Sequence, residues 1–137
     1  MDSQHPDIER RRFERFLVDY PISYVSQNRA EISTGMAVNI SEGGLLAYLF
    51  DRIGVGEELD LEMFYASELQ FTALSAQARI VWKDVIETSE AINYQYGIKF
   101  TRMDKKERIK LAKLLASVHS TYPYPTQESI LDIKKPI

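Results

Sequence analysis

The chain has 137 residues, of which 45% are hydrophobic, 11% aromatic and 27% charged, a length and composition that suit one domain with one core and exclude collagen-like, solenoid and disordered chains. Seventeen Lys and Arg against twenty Asp and Glu leave a net charge of −3, which excludes a general polyanion binder working through a basic field. With no cysteine and only His5 and His119, near opposite ends of the chain, disulfides and thiol chemistry are excluded, and a His-based metal site or catalytic triad is hard to build.

Residues 1–15 are polar and are expected to form a flexible arm outside the core. The opening MDSQHPDIERRR has no apolar segment of signal-peptide type, and no apolar run approaches the ~20 residues of a membrane span. A cytoplasmic location without membrane insertion is therefore expected. From Phe16 the pattern takes period two: Phe16, Val18, Tyr20, Ile22 and Tyr24 share one face, opposite Asp19 and Ser23. Pro21 inside that run predicts an edge or bulged position, and Gln27-Asn28-Arg29 a hairpin loop.

A second strand is predicted with Ile32, Thr34, Met36, Val38 and Ile40 on its apolar face, ending in the turn cluster Asn39-Ile40-Ser41-Glu42-Gly43-Gly44. The third, Leu45 to Phe50, is apolar on both faces. In the fourth, Leu59, Leu61 and Met63 alternate with Asp60 and Glu62. The fifth, Leu69 to Asp84, is long enough to need a bend or bulge. In the sixth, Ile92, Tyr94, Tyr96, Ile98 and Phe100 alternate with Asn93, Gln95, Gly97, Lys99 and Thr101.

At Asp104 the period changes. Asp104 and Glu107 have capping-box spacing, and Leu111, Leu114, Leu115 and Val118 form a helical apolar stripe with Lys105, Lys106, Lys110 and Lys113 facing away. Tyr122-Pro123-Tyr124-Pro125 stops that helix. Six strands and one helix predict an all-β fold, a small six-stranded antiparallel barrel with a C-terminal helix packed on it. The expected division is an arm at 1–15, the barrel and helix at 16–120 and a tail at 121–137.

Two short patterns bear on function. Arg11-x-x-x-Arg15 sits in the arm with Arg10 before it and Arg12 inside it. Asn39-x-Ser41-x-x-Gly44 occupies the turn between the second and third strands. Chance alone gives roughly 0.6 matches to the first and roughly 0.04 to the second in a chain of this composition, so the turn motif carries most of the weight. Taken alone, an arginine run is usually a solvated tail and an Asn-x-Ser turn is usually hairpin chemistry. Their occurrence together, on an arm and on a barrel rim, is the informative feature.

The combination resembles the PilZ domain family, the bacterial receptors for cyclic di-GMP, over roughly Glu9 to Val118. The resemblance includes the Trp-bearing strand Ala78-Arg79-Ile80-Val81-Trp82 and the segment Gly97-Ile98-Lys99-Phe100. It maps the family's Arg-x-x-x-Arg onto Arg11 and Arg15, and its Asp/Asn-x-Ser-x-x-Gly onto Asn39, Ser41 and Gly44. It implies a PilZ-like barrel and a non-catalytic cyclic di-GMP effector that orders its arm over the barrel and signals to an unidentified downstream protein. A basic residue before the first arginine implies two stacked ligand molecules, with Arg10 supplying the extra cation.

The chemistry of the residues suits such a ligand. Guanidinium forks pair bidentately with phosphate and with guanine O6/N7, which lysine cannot reproduce. Asn39 offers an amide that donates and accepts, Ser41 a hydroxyl that does either, and Gly44 the freedom of positive φ and close backbone approach to a ligand. Neither a cofactor nor a metal site is expected. Trp82 is assigned to core or barrel wall, Tyr94 and Tyr96 to packing, and Glu57, Glu58, Asp60 and Glu62 to solvated surface. A nucleotide-free PilZ-like adaptor is the alternative. Binding of RNA or DNA is disfavoured by the net charge of −3.

Overall fold

The computed structural model describes residues 15–121. Its strands are β1 (Phe16–Ser26), β2 (Ile32–Ile40), β3 (Gly44–Leu49), β4 (Glu58–Ser67), β5 (Gln70–Glu87) and β6 (Ile92–Arg102), followed by helix α1 (Lys105–Thr121). All neighbouring pairs are antiparallel. The sheet closes on itself in the order β1-β2-β3-β6-β5-β4, which is the predicted barrel with its helix.

Alternation sends one face inward wherever a strand is regular. Leu59, Leu61, Met63 and Tyr65 of β4, Leu74, Ala76, Ala78 and Ile80 of β5, and Tyr96 and Ile98 of β6 are buried together with Leu45, Ala47 and Leu49 of β3. Burying such side chains contributes ~1.5–3 kcal/mol each for the larger ones, which is what fixes the strand registers. Pro21 lies one residue before the β1–β4 ladder begins at Ile22↔Met63, so its missing N–H costs that ladder nothing.

The inward face of β2 differs from the expected one. Gly35 and Ala37 are buried while Ile32 is 73% exposed, and a register shift between Ala37 and Asn39 then returns Ile40 to the core. The bulge adds one residue and exchanges the faces, so a simple period of two cannot hold along the whole strand. In β5 the expected irregularity occurs twice, between Gln77 and Ala78 and between Ile80 and Trp82.

The barrel ends are closed differently. Leu111, Leu114 and Val118 of α1 join the core cluster, in keeping with the predicted stripe. Lys110, expected to face solvent, instead donates to the Ala73 carbonyl at 2.9 Å and pairs with Glu107 at 3.2 Å. Away from the helix, the β3–β4 loop turns Ile53 inward. Its N–H donates to the Tyr96 hydroxyl at 2.9 Å, and that hydroxyl donates to the Asp51 carbonyl at 3.0 Å.

Candidate functional site

The β2–β3 turn is built by its own side chains. The Ser41 N–H donates to the Gly44 carbonyl at 2.8 Å, and the Ser41 hydroxyl accepts from the Gly43 N–H at 3.2 Å and donates to the Gly44 carbonyl at 3.3 Å. The Phe100 N–H donates to the Gly43 carbonyl at 2.9 Å, which ties the turn to β6. Ser41 therefore does structural work in the turn as well as lying in the motif.

Gly44 has a reason to be glycine within the fold, and positive φ is not it. The positive-φ glycine among the described residues is Gly56, not Gly44. A Cβ at position 44 would overlap the Ile98 carbonyl oxygen of β6. Its small size lets β3 and β6 pack at backbone distance.

Register then relates the end of the first motif, Arg15, to the second. Phe16 pairs with Ile40 and Leu17 with Asn39, and the same register carried back one residue sets Arg15 across from Ser41. Arg15 is 6% exposed, Asn39 3% and Ser41 8%. Asn39 pairs onward with Leu46, Leu46 with Gly97, and Gly97 with Trp82. Because Leu45, Ala47, Tyr96 and Ile98 face inward, this row of Asn39, Leu46, Gly97 and Trp82 faces outward. Arg10 and Arg11 lie outside the described residues.

Trp82 stands on the barrel wall, one of the two places expected for it: the register shift after Ile80 turns it outward, partly exposed and in the row of Asn39. Gln95 stands on the polar face of β6, yet it is 2% exposed. The signal for Trp82 was the length of β5, which required a bulge without giving its position. For Gln95 no sequence signal distinguished it from Asn93 or Lys99.

Electrostatics separates this wall from the opposite one. Lys99 lies beside Gly44 in the β3–β6 ladder and is exposed. On the far side, a groove of about 670 Å³ is lined by Asp60, Glu62, Asp104 and Glu107 with Arg102 as its lone cation. Carboxylates there repel an anionic ligand. Among the described residues no group of His, Cys, Asp and Glu is placed to hold a metal ion, and no helix is long and apolar enough to cross a membrane. The displaced titrations lie away from the motif wall: burial, with Asp51 alongside, pushes the Tyr24 hydroxyl up, and a Ser33 hydrogen bond lowers Asp51.

Solved structures share this architecture. The PilZ domain of Escherichia coli YcgR with c-di-GMP matches with a TM-score of 0.65 at 12% identity, over 88% of this chain and 98% of that one. The apo form of K. pneumonia MrkH gives a TM-score of 0.68 at 17% identity, covering 83% of this chain and 54% of that one. Bacillus subtilis MotI/DgrA gives 0.63 at 16% identity, covering 77% and 49%. The chain thus spans about half the length of MrkH and MotI/DgrA. A sequence comparison with curated proteins finds no match. The PilZ domain model matches residues 9–117, from the arginine arm into α1, and the chain belongs to the PilZ domain family.

Proposed function

We propose that this chain is a non-catalytic receptor for cyclic di-GMP. The observation that supports the reading is the β1–β2 register, Phe16 with Ile40 and Leu17 with Asn39, which continued by one residue brings Arg15 level with Ser41. PilZ structures with this architecture have been solved with the nucleotide, in YcgR and in MrkH. Arg11 and Arg15 grip phosphate and the guanine O6/N7 edge, and Asn39 and Ser41 supply the neutral donors and acceptors. The outward Trp82 offers a ring face for a base, worth ~1–3 kcal/mol for each base stacked. Gly44 serves by holding the turn against β6.

On binding, the segment of Arg10 and Arg11 closes over the barrel wall, and Arg10 supports a second stacked ligand molecule. The output passes to a downstream protein in the cytoplasm, with no nucleic acid involved. A nucleotide-free adaptor is the second reading, since Ser41 and Gly44 have structural roles that would keep them without a ligand. Titration with cyclic di-GMP, GMP and a short RNA separates these. Saturable binding of cyclic di-GMP alone supports the receptor. Binding of none supports the adaptor, and binding of RNA overturns both.

A further inference from the structure

We infer that the cleft between the β2–β3 turn and α1 is the seat of Phe13, which anchors the arginine segment when it closes on the ligand; this rests on the cyclic di-GMP reading above. The cleft measures about 300 Å³ and is lined by Glu42 of the turn and by Arg108, Leu111, Ala112 and Leu115 of α1. Arg108, Ala112 and Leu115 follow one another along one flank of the helix at spacings of four and three. Leu111 is buried, Leu115 half-buried and Ala112 exposed, so the helix side of the cleft is apolar and reachable from solvent. The opposite side is firmly held, because the Phe100 N–H donates to the Gly43 carbonyl at 2.9 Å and the Gly43 N–H donates to the Ser41 hydroxyl at 3.2 Å.

Chain position names the occupant. The β1–β2 register, continued by one residue, brings Arg15 level with Ser41, the neighbour of Glu42 at the cleft. Phe13 precedes Arg15 by two residues, ~7 Å of extended backbone, and it is the one apolar side chain between Glu9 and Arg15. Charge agrees with the placement. Arg12 and Glu14 stand on either side of Phe13 in the sequence, and the cleft offers Glu42 and Arg108 in return.

The effect of such a seat follows from where Phe13 lies in the motif, midway in Arg11-x-x-x-Arg15. Closing the segment orders several residues, and that loss of entropy opposes the gain from the arginine–phosphate bonds. A phenyl ring taken from water into an apolar cleft offsets part of it. It also holds Arg11 within two residues of a fixed point beside the turn. Phe13 is thus a positioning residue and touches no ligand.

A double-mutant cycle, read by calorimetry with cyclic di-GMP on the full chain, tests this. Phe13→Ala is expected to bind about 10–100-fold more weakly than wild type, with Phe13→Leu recovering most of the loss. The thermal midpoint without ligand is expected to stay at the wild-type value in both. Ala112→Phe fills the cleft from the exposed side of the helix and is expected to weaken binding to a similar extent. Ala112→Leu, a better helix former, gives the answer if that variant does not fold. The two losses do not add: Phe13→Ala combined with Ala112→Phe binds no more weakly than either alone. Additive losses put a ligand base or another chain in the cleft and overturn the inference, leaving the receptor reading intact. Wild-type affinity in Phe13→Ala or in Ala112→Phe overturns it also, as does a ligand-free midpoint lowered by Phe13→Ala, which makes the role merely structural. Failure of wild type to bind cyclic di-GMP overturns the receptor reading, and this inference with it.

Discussion

The Glu107 carboxylate of α1 accepts the Ser75 backbone N–H of β5 at 2.9 Å, where no strand reaches. β6 pairs with β5 only from Gln77 onward. Beyond that point Glu107 and Lys110 act in place of a strand: one takes an N–H, the other donates to the Ala73 carbonyl at 2.9 Å. The pair thus satisfies a bare sheet edge and fixes the helix on the barrel.

Burial alone would raise the Glu107 pKa, but the Ser75 N–H and Lys110 outweigh it and hold the carboxyl below its ordinary 4.5. A carboxyl depressed in the folded state stabilises above its unfolded pKa, and that contribution is lost as pH falls through the folded one. Glu107→Ala is therefore expected to cost about 1–3 kcal/mol at neutral pH. Urea denaturation should show the gap to wild type narrowing below pH 4.5. A gap independent of pH would refute the ionic role.

Gly44→Ala is expected to destabilise the fold by about 1–3 kcal/mol or more, since the new methyl overlaps the Ile98 carbonyl. Thermal unfolding without any ligand measures it. Wild-type stability in the alanine variant would mean that the β3–β6 approach is looser than described.

Ile53 is an anchor at the barrel end away from the helix. Ile53→Ala is expected to lose about 2–5 kcal/mol through the cavity it leaves. Tyr96→Phe should lose about 1–3 kcal/mol, because the Ile53 N–H and the Asp51 carbonyl lose their partner together. Both losses are read from denaturant midpoints. Near-neutral effects would mean the loop does not close the barrel.

Arg10 sets the proposed stoichiometry. Two cyclic di-GMP molecules per chain are expected in wild type, falling towards one in Arg10→Ala, because the second molecule adds phosphates that need a further cation. Sedimentation of the complex or calorimetric stoichiometry decides this. One ligand in both proteins would remove the second molecule and leave the first.

Much of the barrel was legible in the sequence, because the period of two survives wherever a strand is regular. Leu59, Leu61 and Met63, or Tyr96 and Ile98, fall inward as their alternation requires. Bulges are where the reading failed. One extra residue near Val38 put Gly35 and Ala37 inward and left Ile32 outside, and another beside Val81 decided between the two places left open for Trp82. The burial of Ile53 in its loop depends on Tyr96, 43 residues away, and no local pattern records that. Of the candidate site, the motif residues were legible as types at fixed spacing. The nearness of Arg15 to the turn was not, since it depends on the pairing of Leu17 with Asn39 across a hairpin. The tight approach of Gly44 to β6 was hidden for the same reason, its neighbour Ile98 belonging to a distant strand.

The central claim is that Arg15 and the Asn39–Ser41 turn form one receptor site for cyclic di-GMP. Calorimetric titration of wild type and Arg15→Ala with this ligand tests it most directly, with circular dichroism confirming that the variant is folded. Saturable wild-type binding is predicted, weakened about 10–100-fold or more in the variant by loss of a charge-assisted fork, with Arg15→Lys recovering only part. Absence of wild-type binding, or equal affinity in Arg15→Ala, would contradict the claim.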